Sequence, residues 1–69
     1  MKKQFKKFIE WFNLMENEEE IDSPSKAELT LKISYSSLLK YYDYLEKKGC
    51  LKVEGKGKSK RYIKVKNVE

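Results

Sequence analysis

The chain has 69 residues and a formal net charge of +5, with charged and apolar side chains each making up 39%. A chain this short buries only about 60% of its unfolded surface, so it predicts one marginally stable domain, residues 1–69, helped by a staple or a partner chain. Cys50 is the only cysteine and histidine is absent, which excludes an internal disulfide and a Cys/His zinc site; no apolar run reaches membrane-span length.

A first helix is predicted over about residues 3–16. Phe5, Phe8, Ile9 and Phe12 fall at the i, i+3, i+4, i+7 spacing of one helical face. Trp11, Leu14 and Met15 widen that apolar arc. Either the other helices fill the surplus, or Phe8, Trp11, Phe12 and Met15 meet a second copy in a homodimer. Lysines and Glu10 interrupt the apolar pattern, unlike the unbroken core of a signal peptide. The expected location is cytoplasmic, and a lone thiol fits a reducing compartment.

Residues 16–22 (ENEEEID) read as an acidic connection with a short strand near Ile21. A second helix is predicted over about 25–31, opened by a Ser25–Glu28 capping box. Ser34 then suits the N-cap of a long helix over about 35–48. Leu38, Tyr42 and Leu45 should face the core, leaving Ser36, Lys40, Asp43 and Lys47 on the opposite face. Gly49 sits where a helix-ending glycine belongs. From Gly49 onward the period changes to two. Leu51 and Val53, then Ile63 and Val65, predict the inward side of a β-hairpin over about 50–66, with residues 55–60 as its turn and 67–69 as a frayed end.

Two helices joined by Lys32-Ile33-Ser34 have the spacing of a helix-turn-helix, whose second helix enters a major groove about 12 Å wide. The groove-facing residues would be Tyr35, Ser36, Ser37, Lys40 and Tyr41, with Lys47 further along. The bland alternative for the serines is that they only cap the first turn. Lys56, Lys58, Lys60 and Arg61 crowd the hairpin tip and its flank. A DNA backbone would neutralise them and supply affinity through counterion release; the bland alternative is a hairpin edge made soluble. The acidic segment should face away from phosphates.

The stretch Ile33-Ser34 … Leu38 … Leu45-Glu46-Lys47-Lys48-Gly49-Cys50-Leu51 resembles the core of winged-helix regulators of the ArsR and MarR type. Val53 to Val65 resembles their wing. The likeness covers about residues 25–66. Two positions depart from it: Glu28 falls where the pattern prefers a small residue, and Lys32 where it has a turn glycine. The small size and the richness in lysine and glutamate are similar to archaeal or archaeal-virus winged-helix proteins.

The resemblance implies an α+β winged helix-turn-helix, three helices followed by a two-stranded hairpin wing. It implies sequence-specific binding of double-stranded DNA by a homodimeric transcriptional regulator, a repressor rather than an activator. No cofactor, metal or small-molecule effector is expected. Nor is catalysis: Gly55-Lys56-Gly57-Lys58-Ser59 lacks P-loop spacing, and no nucleophile–base pair is present. The rival reading is a winged helix that binds protein in transcription or segregation machinery. RNA binding fits less well, because only Tyr62 offers an aromatic on the sheet.

Overall fold

In the computed structural model, which describes residues 2–69, the first helix, α1, spans Lys2–Asn13. It ends at Asn13 rather than near residue 16 because its last turn tightens. The Leu14 amide reaches the Trp11 carbonyl at 3.3 Å and the Met15 amide reaches that of Phe12 at 3.1 Å. Phe8 and Phe12 are fully buried. The expected dimer face is corrected accordingly: these two rings fill the core of their own chain, where α1 meets α3.

The segment 20–21 forms β1 (Glu20–Ile21), the third strand expected near Ile21. Helix α2 (Pro24–Leu31) starts earlier than predicted. Ser23 is its N-cap and Pro24 opens it with a preset φ. The Ser25–Glu28 capping box does not form. Glu28 instead accepts the Tyr35 amide at 3.3 Å, linking α2 to the first turn of the next helix. Lys32 closes α2 in the left-handed region (φ 58°). That is a conformation suited to glycine, at the turn position where the likeness has one.

Helix α3 (Tyr35–Lys47) is capped as predicted, with Ser34 Oγ accepting the Ser37 amide at 3.4 Å. At its far end the Gly49 amide reaches the Glu46 carbonyl and the Cys50 amide that of Leu45, with Gly49 at φ +78°. This is a Schellman closure, and buried Cys50 and Leu45 supply its apolar contact.

Strands β2 (Leu51–Glu54) and β3 (Arg61–Lys64) follow, with β3 central in the order β1-β3-β2. The result is a small α+β domain of three helices and a three-stranded antiparallel sheet, compatible with the expected winged-helix layout. Among the described residues no helix is long and apolar enough to cross a membrane.

One strand faces the opposite way from its hydrophobic pattern. Val53 pairs with Tyr62 and Leu51 with Lys64. Residues opposite one another share a face of the sheet, so Tyr62 and Lys64 point inward and Ile63 outward. Lys64 is fully buried. Its ammonium donates to the carbonyls of Asn13 at 3.2 Å and Met15 at 2.6 Å, and lies 5.1 Å from the Phe12 ring centroid. A cation at the negative end of a helix offsets part of its own desolvation. Burial still pushes its pKa down, against the opposing pull of Glu16 and Cys50.

The predicted frayed end is also held. Asn13 donates its amide to the Val68 carbonyl at 3.2 Å and accepts the Val68 amide at 2.9 Å.

Candidate nucleic-acid interface

The outward face of α3 follows from its helical phase. Leu38, Tyr41, Tyr42 and Leu45 are buried, so Ser36, Lys40, Asp43 and Lys47 are left on the exposed side. Lys40 has no ion pair among the described residues, whereas Lys47 contacts Asp43 at 3.1 Å. An exposed i,i+4 pair of this kind is worth only about 0.3–0.5 kcal/mol, so Lys47 can exchange its partner.

Not every candidate lies on that face. Tyr41 is buried at 8% exposure, and its ring stacks edge-on against Phe5 at 5.1 Å and tilted against Phe8 at 5.3 Å. It is a core residue and is removed from the groove-facing set. Its position points toward α1, which residue spacing from Tyr35 alone does not show. Ser37 is half-buried and its hydroxyl is engaged by Ser34 Oγ at 3.0 Å. Tyr35 is 44% exposed and Ser36 is exposed, completing the first turn.

The loop between β2 and β3 carries Lys56, Lys58 and Lys60, all exposed, around a 3-10 turn at Gly57–Ser59. Gly55 makes the entry possible: its φ is +84°, and an added Cβ would sit 2.7 Å from the Ser59 carbonyl oxygen. The loop lies over the start of α2. Lys58 and Lys60 share one cleft of about 400 Å³ with Ser23, Pro24, Ser25 and Tyr35. They share an adjoining one with Lys26, Glu20 and Asp22. Arg61 is exposed but turns to the outer face of the sheet, where it meets Glu20 at 3.4 Å.

Two features modify the expected electrostatics. Glu20 and Asp22 border the lysine loop rather than lying remote from it, so the basic patch is partly neutralised on its β1 side. On the other side, Lys60 lines a more apolar cleft of about 180 Å³ with Leu39, Tyr42, Asp43, Glu46, Val53 and Tyr62.

The aromatic floor of this region is tied together by ring contact and a hydrogen bond. Tyr42 and Tyr62 rings meet edge to face at 5.3 Å, and the Tyr42 hydroxyl donates to the Asp22 carbonyl at 2.6 Å. Burial pushes the Tyr42 pKa well above its ordinary value, with Asp22 and then Tyr62 adding to the shift. Burial also raises that of Tyr62, assisted by Tyr35 and Glu46.

Leu39, 45% exposed at the mouth of the apolar cleft, was not among the expected site residues. The adjacent pair Leu38-Leu39 carried the signal: neighbours on a helix stand 100° apart, so only one can centre on the core. Lys26 was missed because its partners come from the distant loop. For a second copy, the end of α1 and the turn after it offer Leu14, 85% exposed, with half-buried Trp11 and Met15.

Compared with known proteins, the chain matches no family pattern, no curated protein and no solved structure.

Proposed function

We propose that this chain is a winged-helix module that binds double-stranded DNA sequence-specifically as a transcriptional regulator. Helix α3 enters the major groove through Tyr35, Ser36 and Lys40, and the β2–β3 loop acts as the wing, its lysines on the adjoining backbone. The observation that carries the reading is the shared cleft. Tyr35, the first residue of α3, lines it together with Lys58 and Lys60, so the helix start and the basic loop border one cleft. A left-handed Lys32 at the turn between α2 and α3 supports the same reading.

Binding to duplex DNA, measured by anisotropy at salt between about 50 and 200 mM, tests it. The expected result is an affinity that falls steeply with salt, and a specific site recoverable by selection from random duplexes. Salt-insensitive or absent binding overturns the proposal. That outcome favours the second reading, a protein-binding module, for which the specific observation is the exposed Leu39 on a cleft also lined by Asp43 and Glu46.

A homodimer on a two-fold-related site would pair through Trp11, Leu14 and Met15. Leu14→Glu tests this without entering the core: a shift toward monomer in sedimentation supports pairing, and an unchanged sedimentation profile removes it.

A further inference from the structure

We infer that α3 discriminates its target chiefly by apolar contact with thymine methyl groups, made by Leu39 and Tyr35, with Lys40 as its one hydrogen-bonding contact to a base edge. The inference rests on the DNA-binding reading above and specifies how that site would read sequence.

The chemistry of the helix leads to it. Direct readout in the major groove depends chiefly on bidentate side chains: arginine to guanine, asparagine or glutamine to adenine. The α3 sequence YSSLLKYYDYLEK has no arginine, asparagine or glutamine, and of its two lysines, which can also pair with guanine, Lys47 contacts Asp43 at 3.1 Å. The single arginine of the chain, Arg61, is on β3 and leans on Glu20 at 3.4 Å. The hydroxyls are scarcely freer. Ser34 and Ser37 bond each other at 3.0 Å, and Ser36 lies 3.5 Å from Ser34 Oγ. Lys40 remains, the one side chain of the early turns placed to pair with a guanine edge.

What the first two turns of α3 do expose is carbon. Leu39 is 45% and Tyr35 44% exposed, one turn apart on the flank facing the loop. Leu39 stands at the mouth of the apolar cleft with Val53, Tyr42 and Tyr62 behind it, and Lys60 lines that cleft beside it. In water such a leucine gains nothing. Against a groove, the complementary feature is the thymine C5-methyl, the one apolar group a base pair presents there. Lys58 and Lys60, on the neighbouring cleft wall, fit the flanking phosphates. Asp43 and Glu46, which line the same cleft one turn and more further along α3, would repel phosphates, which favours approach through the early turns of the helix.

The experiment uses the duplex selected by the wild-type chain, with each thymine replaced singly by uracil. This removes one methyl and keeps every hydrogen-bonding group. Uracil is expected to weaken binding about fourfold at the positions under Leu39 and Tyr35, the value of burying one methyl-sized group. In Leu39→Ala, whose substituted side chain lies outside the core, the same replacement should have no effect at the position under Leu39. 5-Methylcytosine at a mismatched cytosine there should recover part of the affinity in the wild type only.

Unchanged affinity at every uracil position overturns the inference while leaving DNA binding intact. So does a uracil effect that persists in both Leu39→Ala and Tyr35→Ala, which would trace it to duplex stiffness. Salt-dependent binding with no selected sequence also overturns it. Absence of duplex binding overturns it together with the function proposed above.

Discussion

Lys64 and Lys58 lie on the same hairpin, yet one is fully buried and the other exposed at the loop. The difference teaches that lysine density by itself does not mark a binding surface. At the open end of the hairpin, strand pairing places Lys64 opposite buried Leu51, and the carbonyls of Asn13 and Met15, at and just past the end of α1, receive its ammonium. At the loop, Gly55 turns the chain away from the core, and the lysines there have no carbonyl cage. The same residue type is therefore structural in one place and available to a partner in the other.

The most severe way to break the comparison is Lys64→Glu. A carboxylate buried against helix carbonyls should cost about 3–5 kcal/mol. A 69-residue domain holds only about 3–10 kcal/mol in total. Loss of cooperative unfolding in circular dichroism is expected, and a melting curve close to wild type would contradict the buried-lysine anchor. Lys64→Met sharpens it: the aliphatic stem stays but two carbonyls lose their donor, for about 1–3 kcal/mol measured in urea.

Replacing Lys56, Lys58 and Lys60 together by alanine should do the reverse. Stability should move by less than about 0.5 kcal/mol, as for ordinary surface changes. Duplex affinity should fall for all sequences, and the salt slope should flatten by up to about 3, one unit per phosphate contact. Unchanged affinity would remove the loop from the interface. Lys40→Ala should instead weaken the selected site more than random duplex.

Alkaline titration separates the two regions more finely. Tyr42 keeps its proton in the fold above the ordinary value of 10.0, because burial raises its pKa. The unfolded chain then gives up protons first, so stability is lost as the pH rises past about 10. Tyr62 contributes in the same direction. Lys64 has the opposite sign: burial holds its folded pKa below 10.5, so its penalty is relieved as pH rises toward that value. Tyr42→Phe should lose about 1 kcal/mol at neutral pH with its hydrogen bond to Asp22. It should also show a shallower alkaline decline in urea denaturation; an unaltered decline would assign the effect elsewhere. The smallest change is expected from Asp43→Asn, which frees Lys47 at a cost of about 0.3–0.5 kcal/mol.

Much of the candidate site was legible in local signals. Ser34 caps α3 and Gly49 closes it because both act through backbone groups within a few residues. The outward set Ser36, Lys40, Asp43 and Lys47 follows from helical period once Leu38 is placed inside. Tyr41, Phe8 and Phe12 were less legible. Their apolar arcs were visible, but which neighbour covers each arc depends on how α1 crosses α3.

By itself, then, the sequence determined the order of helices and strands, the two ends of α3, and the basic loop. These are set by interactions spanning at most about one helical turn or one hairpin, and the residues involved adjoin one another in the chain. Only the tertiary structure decided that Lys64 is core, that Glu20 and Asp22 border the loop lysines, and that Val68 is clasped by Asn13. Strand register turns every side chain over with a shift of one residue, and it is selected by the packing of the whole sheet against the helices.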